Sequence, residues 1–417
     1  MQLHENRQEQ ENALLVSVDT GEFDAEASID ELEELAHTAG AVVLGKLIQR
    51  RDRIEAATFV GYGKLAEIIQ FCETNDVDLL IFDSELTPSQ QANLEKLTNV
   101  RVIDRTMLIL DIFASRARTS EGKLQVELAQ LKYALPRLMG QGQKLSRLGG
   151  GIGTRGPGET KLESDRRHIR RRIQKLEEEL RQLEKRRNRL RERREKDGVM
   201  SVAIVGYTNA GKSTLMNALT DAGVLTENKL FATLDPTSRA LQLPDGRQVM
   251  LVDTVGLIRR LPHKLVEAFK STLEEAASAT VILNVCDASD EHANEHLEVT
   301  KTLLEELGCE GKPIISVMNK CDIVGDLYAM PTFRSTVMIS ALEQKGLDHL
   351  LQAICDVLPQ TIREVSLLIP FQNGGEAAKL RTDGVVLEEE YRPDGLYLRV
   401  RAEGRLLDPM QQWIIPE

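Results

Sequence analysis

One short stretch constrains this chain more than any other. The apolar run Met200-Ser201-Val202-Ala203-Ile204-Val205 leads directly into Gly206-Tyr207-Thr208-Asn209-Ala210-Gly211-Lys212-Ser213-Thr214, and a helical run, Leu215 to Leu219, follows. A strand, a glycine-bracketed loop ending in Lys-Ser and a helix, in that order, make the phosphate-binding loop of an α/β nucleotide domain. Its glycines let backbone N–H groups wrap phosphates, and the helix N-terminus adds a favourable dipole. Lys212 is expected to reach the β- and γ-phosphates, and Ser213 to place its hydroxyl on Mg²⁺.

Further segments follow in the order that a nucleotide switch needs. The strand-like run Val249 to Val252 ends in Asp253-Thr254-Val255-Gly256. An Asp there can hold Mg²⁺ through water, and the N–H of Gly256 can sense the γ-phosphate. Two more apolar runs, Val281 to Val285 and Ile314 to Met318, read as strands, and the second ends in Asn319-Lys320-Cys321-Asp322. A carboxylate at Asp322 accepts two hydrogen bonds from the N1–H and N2–H₂ edge of guanine, a donor pair that adenine lacks. Asn319 braces this loop and contacts the base, and the Lys320 stem covers the base face. Val337-Met338-Ile339 then leads into Ser340-Ala341-Leu342, where a backbone N–H meets guanine O6. Taken in order, these elements specify GTP as substrate and a GTPase as activity.

Between the glycine loop and Asp253 lies Leu230-Phe231-Ala232-Thr233-Leu234-Asp235-Pro236-Thr237. A mobile Thr is needed here to close on Mg²⁺ when the γ-phosphate is present. Thr233 is the choice, with Thr237 read as a turn residue after Pro236. Lys212, Thr233 and Gly256 thus form the expected catalytic set. Ser213, Thr233 and Asp253 (through water) form the expected metal set. The residue after Gly256 is Leu257, where Ras-like GTPases place the Gln that orients the attacking water. Leucine cannot orient water, so intrinsic hydrolysis is expected to be slow, with a partner supplying what is missing. Arg259 and Arg260 read as solvated switch residues rather than arginine fingers.

The rest of the chain asks what such a switch drives. At 417 residues, two or three domains are expected. No apolar stretch is long enough to span a bilayer, no apolar signal core opens the chain, and the five cysteines include no CxxC pair, which fits a reducing cytosol. The net charge of −12 at first weighs against nucleic acid. Partitioning it reverses that inference. Met1 to Ala36 holds eleven acidic residues and one basic residue, whereas Asp165 to Lys196 holds fifteen basic and seven acidic residues. That one segment carries +8 (15 − 7), leaving −20 (−12 − 8) for the remainder.

The basic segment belongs to a pair of long helical runs. Leu124, Leu128, Leu131, Leu135 and Leu138 step by 4, 3, 4, 3, as do Ile169, Ile173, Leu176, Leu180 and Leu183, with Leu190 a heptad later. These are coiled-coil seams, and an antiparallel hairpin is the simplest pairing. The joining loop, residues 140–161, holds eight glycines interspersed with Lys144, Arg147, Arg155 and Lys161. A basic, conformationally permissive tip on a stiff hairpin suits contact with RNA phosphates.

Upstream, apolar runs alternate with helical ones. Expected strands are Ala13–Val18, Ala41–Ile48, Ala57–Val60, Asp78–Phe82 and Val100–Ile103. Expected helices are Ser28–Ala39, Lys64–Asn75 and Pro88–Leu97, with Ser28 and Thr87 as N-caps. This predicts a small parallel α/β domain. Gly61-Tyr62-Gly63-Lys64 reads as a turn and helix start. The tail predicts strands over Val365–Ile369, Gly384–Tyr391 and Gly395–Ala402, a short helix over Gly374–Leu380 and a packing role for Trp413. The expected architecture is therefore multidomain α/β. An N-terminal α/β domain spans 1–105, the helical hairpin 106–197, a P-loop GTPase domain with a Ras-like doubly wound sheet 198–361, and a small α+β domain 362–417.

The glycine loop with Thr208-Asn209-Ala210, the Phe231-Ala232-Thr233-Leu234-Asp235-Pro236-Thr237 segment and Asp253-Thr254-Val255-Gly256-Leu257 resemble the translation-factor-related GTPases near Obg. The run Gly149-Gly150-Gly151-Ile152-Gly153-Thr154-Arg155-Gly156-Pro157-Gly158-Glu159-Thr160, followed by a basic helix, resembles the HflX family, and the likeness extends over essentially the whole chain. The resemblance implies a cytoplasmic GTPase, expected to be monomeric, that binds the large (50S) ribosomal subunit and the 70S ribosome through rRNA and splits stalled or idle ribosomes. It carries the family's nucleotide-binding positions onto the residues named above. It also implies ATP binding by the N-terminal region, for which no motif appears. A GTPase assisting large-subunit assembly or RNA modification is the alternative, although the chain lacks the CxGK-type tail of the tRNA-modifying relatives. A third reading is a signalling GTPase whose hairpin binds protein.

Overall fold

The computed structural model describes residues 10–146, 157–196, 198–220, 230–231, 237–260, 262, 265, 275–324, 336–359 and 362–415. The chain divides into two compact units, Met1–Cys355 and Asp356–Glu417.

The first unit opens with a four-stranded parallel sheet in the order β2-β1-β3-β4. Its strands are β1 (Asn12–Asp19), β2 (Val42–Arg50), β3 (Leu79–Phe82) and β4 (Arg101–Asp104). The near-continuous burial of β1 and β3 is what a parallel sheet covered on both faces requires. The covering helices are α1 (Ala25–Ala39), α2 (Tyr62–Asn75), α3 (Pro88–Thr98) and α4 (Arg105–Arg116). Thr87 caps α3 in a reciprocal capping box with Gln90, as its sequence predicts. Gly61 precedes α2 as its N-cap.

Two expectations fail here for local reasons. Asp24, not Ser28, caps α1 through the N–H groups of Glu26 and Ala27. Ser28 is buried in the second turn and donates to Asp83 at 2.7 Å. Residues 57–60 form no strand: Phe59 adopts φ +66° and joins Glu55 in an isolated bridge.

Helices α5 (Ser120–Ser146) and α6 (Pro157–Lys196) follow. They lie against each other, with ion pairs Glu121–Arg187 at 2.8 Å and Glu127–Arg172 at 2.6 Å. Advancing along α5 therefore means retreating along α6. The leucine seam of α5 is only half-buried, while Val126, Ala129 and Tyr133 bury a second stripe in the core shared with α4. Leu190 departs from the predicted seam and is exposed; Arg187 holds the position before it.

The sheet that follows runs β10-β9-β8-β5-β7-β6 and is parallel except for β6. Its strands are β5 (Ser201–Gly206), β6 (Thr237–Gln242), β7 (Gln248–Asp253), β8 (Val281–Asp287), β9 (Ile314–Asn319) and β10 (Thr336–Met338). With α7 (Lys212–Thr220), α8 (Ala293–Glu306) and α9 (Leu347–Val357) they form the mixed α/β nucleotide domain. Strand β6 is absent from the sequence reading. Thr237, expected in a turn, is its first residue and pairs with Asp253.

The second unit carries an antiparallel sheet in the order β12-β13-β11-β14. Its elements are β11 (Ile362–Ile369), α10 (Gly374–Asp383), β12 (Val385–Arg392), β13 (Gly395–Glu403), α11 (Gly404–Leu407) and β14 (Ile414–Ile415). Helix α10 buries Ala377 and Leu380 against β11 and β13, and Trp413 packs on the same core. Among the described residues, no helix is long and apolar enough to cross a membrane.

Candidate functional site

The glycine loop lies at the carboxyl end of β5, in the middle of the sheet, where open α/β sheets place their ligand crevice. Two glycines are dictated by geometry. At Gly206 a Cβ would drive into the backbone of Val285, and at Gly211, with φ +89°, it would drive into the Asn319 amide. Neither position tolerates a side chain, so the loop hugs β8 and β9.

The loop is cross-braced by residues from other strand ends. Ser213 Oγ donates to Asp253 Oδ2 at 2.8 Å, joining the start of α7 to the end of β7. The Asn319 amide donates to Ala210 O at 2.9 Å while its Oδ1 accepts from Ala341 N at 2.9 Å. One side chain thus ties the glycine loop, the Asn319–Asp322 loop and the Ser340–Leu342 loop into a single body. Lys320, at φ +62°, pairs with Asp287 at 2.6 Å. Asp322 is exposed, and so is Leu342, at 78%. Lys212 Nζ donates to Tyr207 O at 2.6 Å. Burial pulls its ammonium down to about 8, with Asp253 opposing that shift.

The segment after Asp253 pairs with the glycine loop. Leu257 N donates to Gly206 O at 3.1 Å and Thr208 N donates to Leu257 O at 2.7 Å, making a parallel bridge between Tyr207 and Leu257. The side chain of Leu257 is buried, as are Val255 and Ile258.

Arg259, expected to be solvated, is not, and Arg260, although exposed, is held by specific partners. Arg259 is buried and pairs with Glu295 at 2.9 Å, while its carbonyl accepts from Arg105 at 3.1 Å. Arg260 reaches Asp83 at 3.0 Å and Ser84 Oγ at 3.0 Å, with its guanidinium 3.7 Å over the Phe23 ring. The reason lies in the N-terminal sheet. Asp83, at the end of β3, is fully buried beside Arg105 at 2.8 Å, and its second oxygen draws Arg260 in. Tyr207 donates to Glu31 and accepts from Arg259 N, and its ring stacks on His296 at 3.7 Å. Burial, reinforced by Glu31, pushes the Tyr207 phenol up and keeps it neutral. Phe231 packs edge-on against Phe113 of α4 at 4.7 Å.

The structure therefore brings together residues 206–214, 253–256, 319–322 and 340–342. Phe231 is buried in one cluster with Tyr207, Val255 and Leu257 and rests on Phe113 of α4. Ala232, Thr233, Leu234, Asp235, Arg147 and Arg155 lie outside the described residues, and Lys144 and Lys161 are described only as helical backbone. Sequence reasoning missed Glu31, Asp83, Arg105 and Phe113. Asp83 and Arg105 lie just beyond the expected strands Asp78–Phe82 and Val100–Ile103 and take no role in that reading. Their signal is a charge set directly against a fully apolar run.

Three family profiles match in sequence order. They are described as GTP-binding GTPase N-terminal over residues 26–114, GTP-binding GTPase Middle Region over 116–194, and 50S ribosome-binding GTPase over 201–320. The GTPase HflX of Caldanaerobacter subterraneus subsp. tengcongensis is 50% identical over 414 residues, covering 99% of this chain and 96% of that one. The chain belongs to the HflX GTPase family. The GTPase HflX of Escherichia coli is 42% identical over 397 residues, covering 94% of this chain and 93% of its own. Among solved structures, a GTP-binding protein from Sulfolobus solfataricus in complex with GDP is similar at 28% identity and TM-score 0.44, covering 84% and 98% of the two chains. The chain is a nucleotide-binding GTPase of this family, with a multidomain α/β fold that includes a P-loop GTPase domain.

Proposed function

We propose that this GTPase works on the ribosome in the cytoplasm, binding the 50S subunit and the 70S particle and splitting stalled or idle ribosomes as it cycles through GTP. The observation that carries the reading is the sharing of one core between switch and N-terminal residues. Leu257, Ile258 and Phe231 are buried with Ile109, Ile112 and Phe113 of α4. A rearrangement at the γ-phosphate therefore moves the platform from which α5 and α6 extend. We read α5 and α6 as an antiparallel coiled-coil hairpin that carries the +8 segment toward rRNA, with Lys144, Arg147, Arg155 and Lys161 at its tip.

Within the site, residues 206–214 cradle the phosphates and Lys212 meets the β- and γ-phosphates. Asp322 selects guanine, Ser340–Leu342 closes over the base, and Gly256 with Thr233 reads the γ-phosphate. Ser213 Oγ and Asp253 Oδ2, hard oxygens 2.8 Å apart, suit Mg²⁺, Ser213 and Thr233 as direct donors and Asp253 through water. The ion neutralises charge on the phosphates when bound; Ser213 and Asp253 orient it.

The test is salt-sensitive co-sedimentation with 50S and 70S particles in the presence of a non-hydrolysable GTP analogue, followed by light scattering of 70S particles. Analogue-dependent association and a fall in scattering are expected. Association without splitting would favour the assembly reading, and no association would contradict both. Replacing Lys144, Arg147 and Arg155 by Ala is expected to weaken sedimentation while sparing GTP affinity.

A further inference from the structure

We propose that the Thr208 hydroxyl orients the attacking water during GTP hydrolysis, the task that Leu257 cannot perform. The inference rests on the nucleotide-site assignment above.

Thr208 is 6% exposed, and its Oγ1 is buried with no hydrogen-bond partner among the described residues. A buried orphan hydroxyl is costly to keep, so its persistence calls for a group that it meets in another state. Its position identifies that group. A Cβ built on Gly256 would lie 2.7 Å from Thr208 Cγ2, 3.0 Å from Thr208 Cα and 3.1 Å from Lys212 Nζ. Thr208 therefore stands where the two readers of the γ-phosphate converge.

Among the described residues, the alternatives that follow Asp253 at this corner are committed elsewhere. The Thr254 hydroxyl donates to Ile204 O at 2.7 Å. Leu257 is apolar, 2% exposed and bridged to the loop through its backbone. Thr208 shares that bridge by donating its N–H to Leu257 O, which fixes its backbone and leaves its hydroxyl available.

In the reaction the water oxygen forms a bond to the γ-phosphorus as the bond from that phosphorus to the β–γ bridging oxygen breaks. GDP departs with the electron pair, and the water proton goes to the released phosphate. Thr208 Oγ1 accepts a hydrogen bond from the water, holds its lone pair in line and is itself unchanged.

The test is single-turnover GTP hydrolysis by the full-length protein without ribosomes, alongside fluorescent GDP and GTP-analogue affinities. Thr208→Val keeps the γ-methyl that faces Gly256 and replaces the hydroxyl by a methyl of similar size. It is expected to hydrolyse at least tenfold more slowly, with both affinities within twofold of the parent. Thr208→Ser restores the hydroxyl without the methyl and is expected to recover to within about threefold. Parental hydrolysis by the Val variant overturns the proposal. So does an equal loss of affinity and rate, which marks a packing role. If Lys212→Ala binds GTP normally, the site assignment itself fails and the proposal with it.

Discussion

The two walls of the proposed nucleotide site are held in different ways. The base wall is fastened from within the GTPase domain: Asn319 spans from Ala210 to Ala341, and Lys320 is held by Asp287. The wall that follows Asp253 is fastened from outside. The Arg259 carbonyl and the Arg260 side chain are tied to Arg105 and Asp83 and Phe231 rests on Phe113, while the Arg259 guanidinium pairs with Glu295 within the GTPase domain. On the proposed assignment, the first arrangement makes recognition of the base autonomous. The second makes the switch segments part of the N-terminal core, so that their state and the position of the N-terminal sheet are one variable.

The largest effect that tests this contrast is on stability. Arg105 is 2% exposed and joins Glu31, Asp83 and Arg259 O. Arg105→Ala takes the counter-charge from Glu31 and leaves buried Asp83 with Arg260 alone, at a cost of about 3–5 kcal/mol. Thermal unfolding of the apo protein is expected to fall accordingly, while the preference for guanine over xanthine nucleotides persists. A lost guanine preference would break the separation of the walls.

Asp322→Asn tests the opposite wall. It removes a charged acceptor of two hydrogen bonds, worth about 3 kcal/mol, or on the order of a hundredfold in GDP affinity. Preference is expected to shift toward xanthine nucleotides, with the thermal midpoint of the apo protein unchanged. Unaltered guanine selectivity in competition binding would refute the base assignment.

A smaller effect sharpens the contact between the walls. Burial lowers the Lys212 ammonium to about 8, and a bound di- or triphosphate favours its charged form. The bound-state value is therefore higher than the free one. Affinity is fully present below pH 8 and is lost above it, by up to about tenfold per pH unit until the bound form also titrates. Calorimetry in buffers of different ionisation enthalpy is expected to detect proton uptake on GDP binding at pH 9. Lys212→Met is expected to abolish that uptake.

Much of the base and phosphate walls is legible in the sequence because their residues are contiguous at strand ends. Gly206–Thr214, Asp253–Gly256 and Asn319–Asp322 each form one local motif, and strand order alone brings them together. The alternating pattern likewise gives the N-terminal sheet, apart from residues 57–60, where Phe59 takes a left-handed conformation that a β-type composition does not announce. Strand β6 is missed because its run, Thr-Ser-Arg-Ala-Leu-Gln, is largely exposed and polar, and its pairing with β7 supplies the order. The outer wall is illegible for a different reason. Arg260 looks like any charged switch residue until Asp83, 177 positions away, proves to be buried with an oxygen facing it. Burial of a charge by a distant partner leaves no local pattern.

The account turns on the claim that the γ-phosphate wall and the N-terminal sheet move as one. Hydrogen–deuterium exchange of the full-length protein, compared between GDP and a non-hydrolysable GTP analogue, tests it most directly. The account predicts altered exchange in peptides covering α1 and α4 together with 253–260, and equal exchange in β9 and residues 336–342. Changes confined to the GTPase segments, with α1 and α4 unmoved, would contradict it.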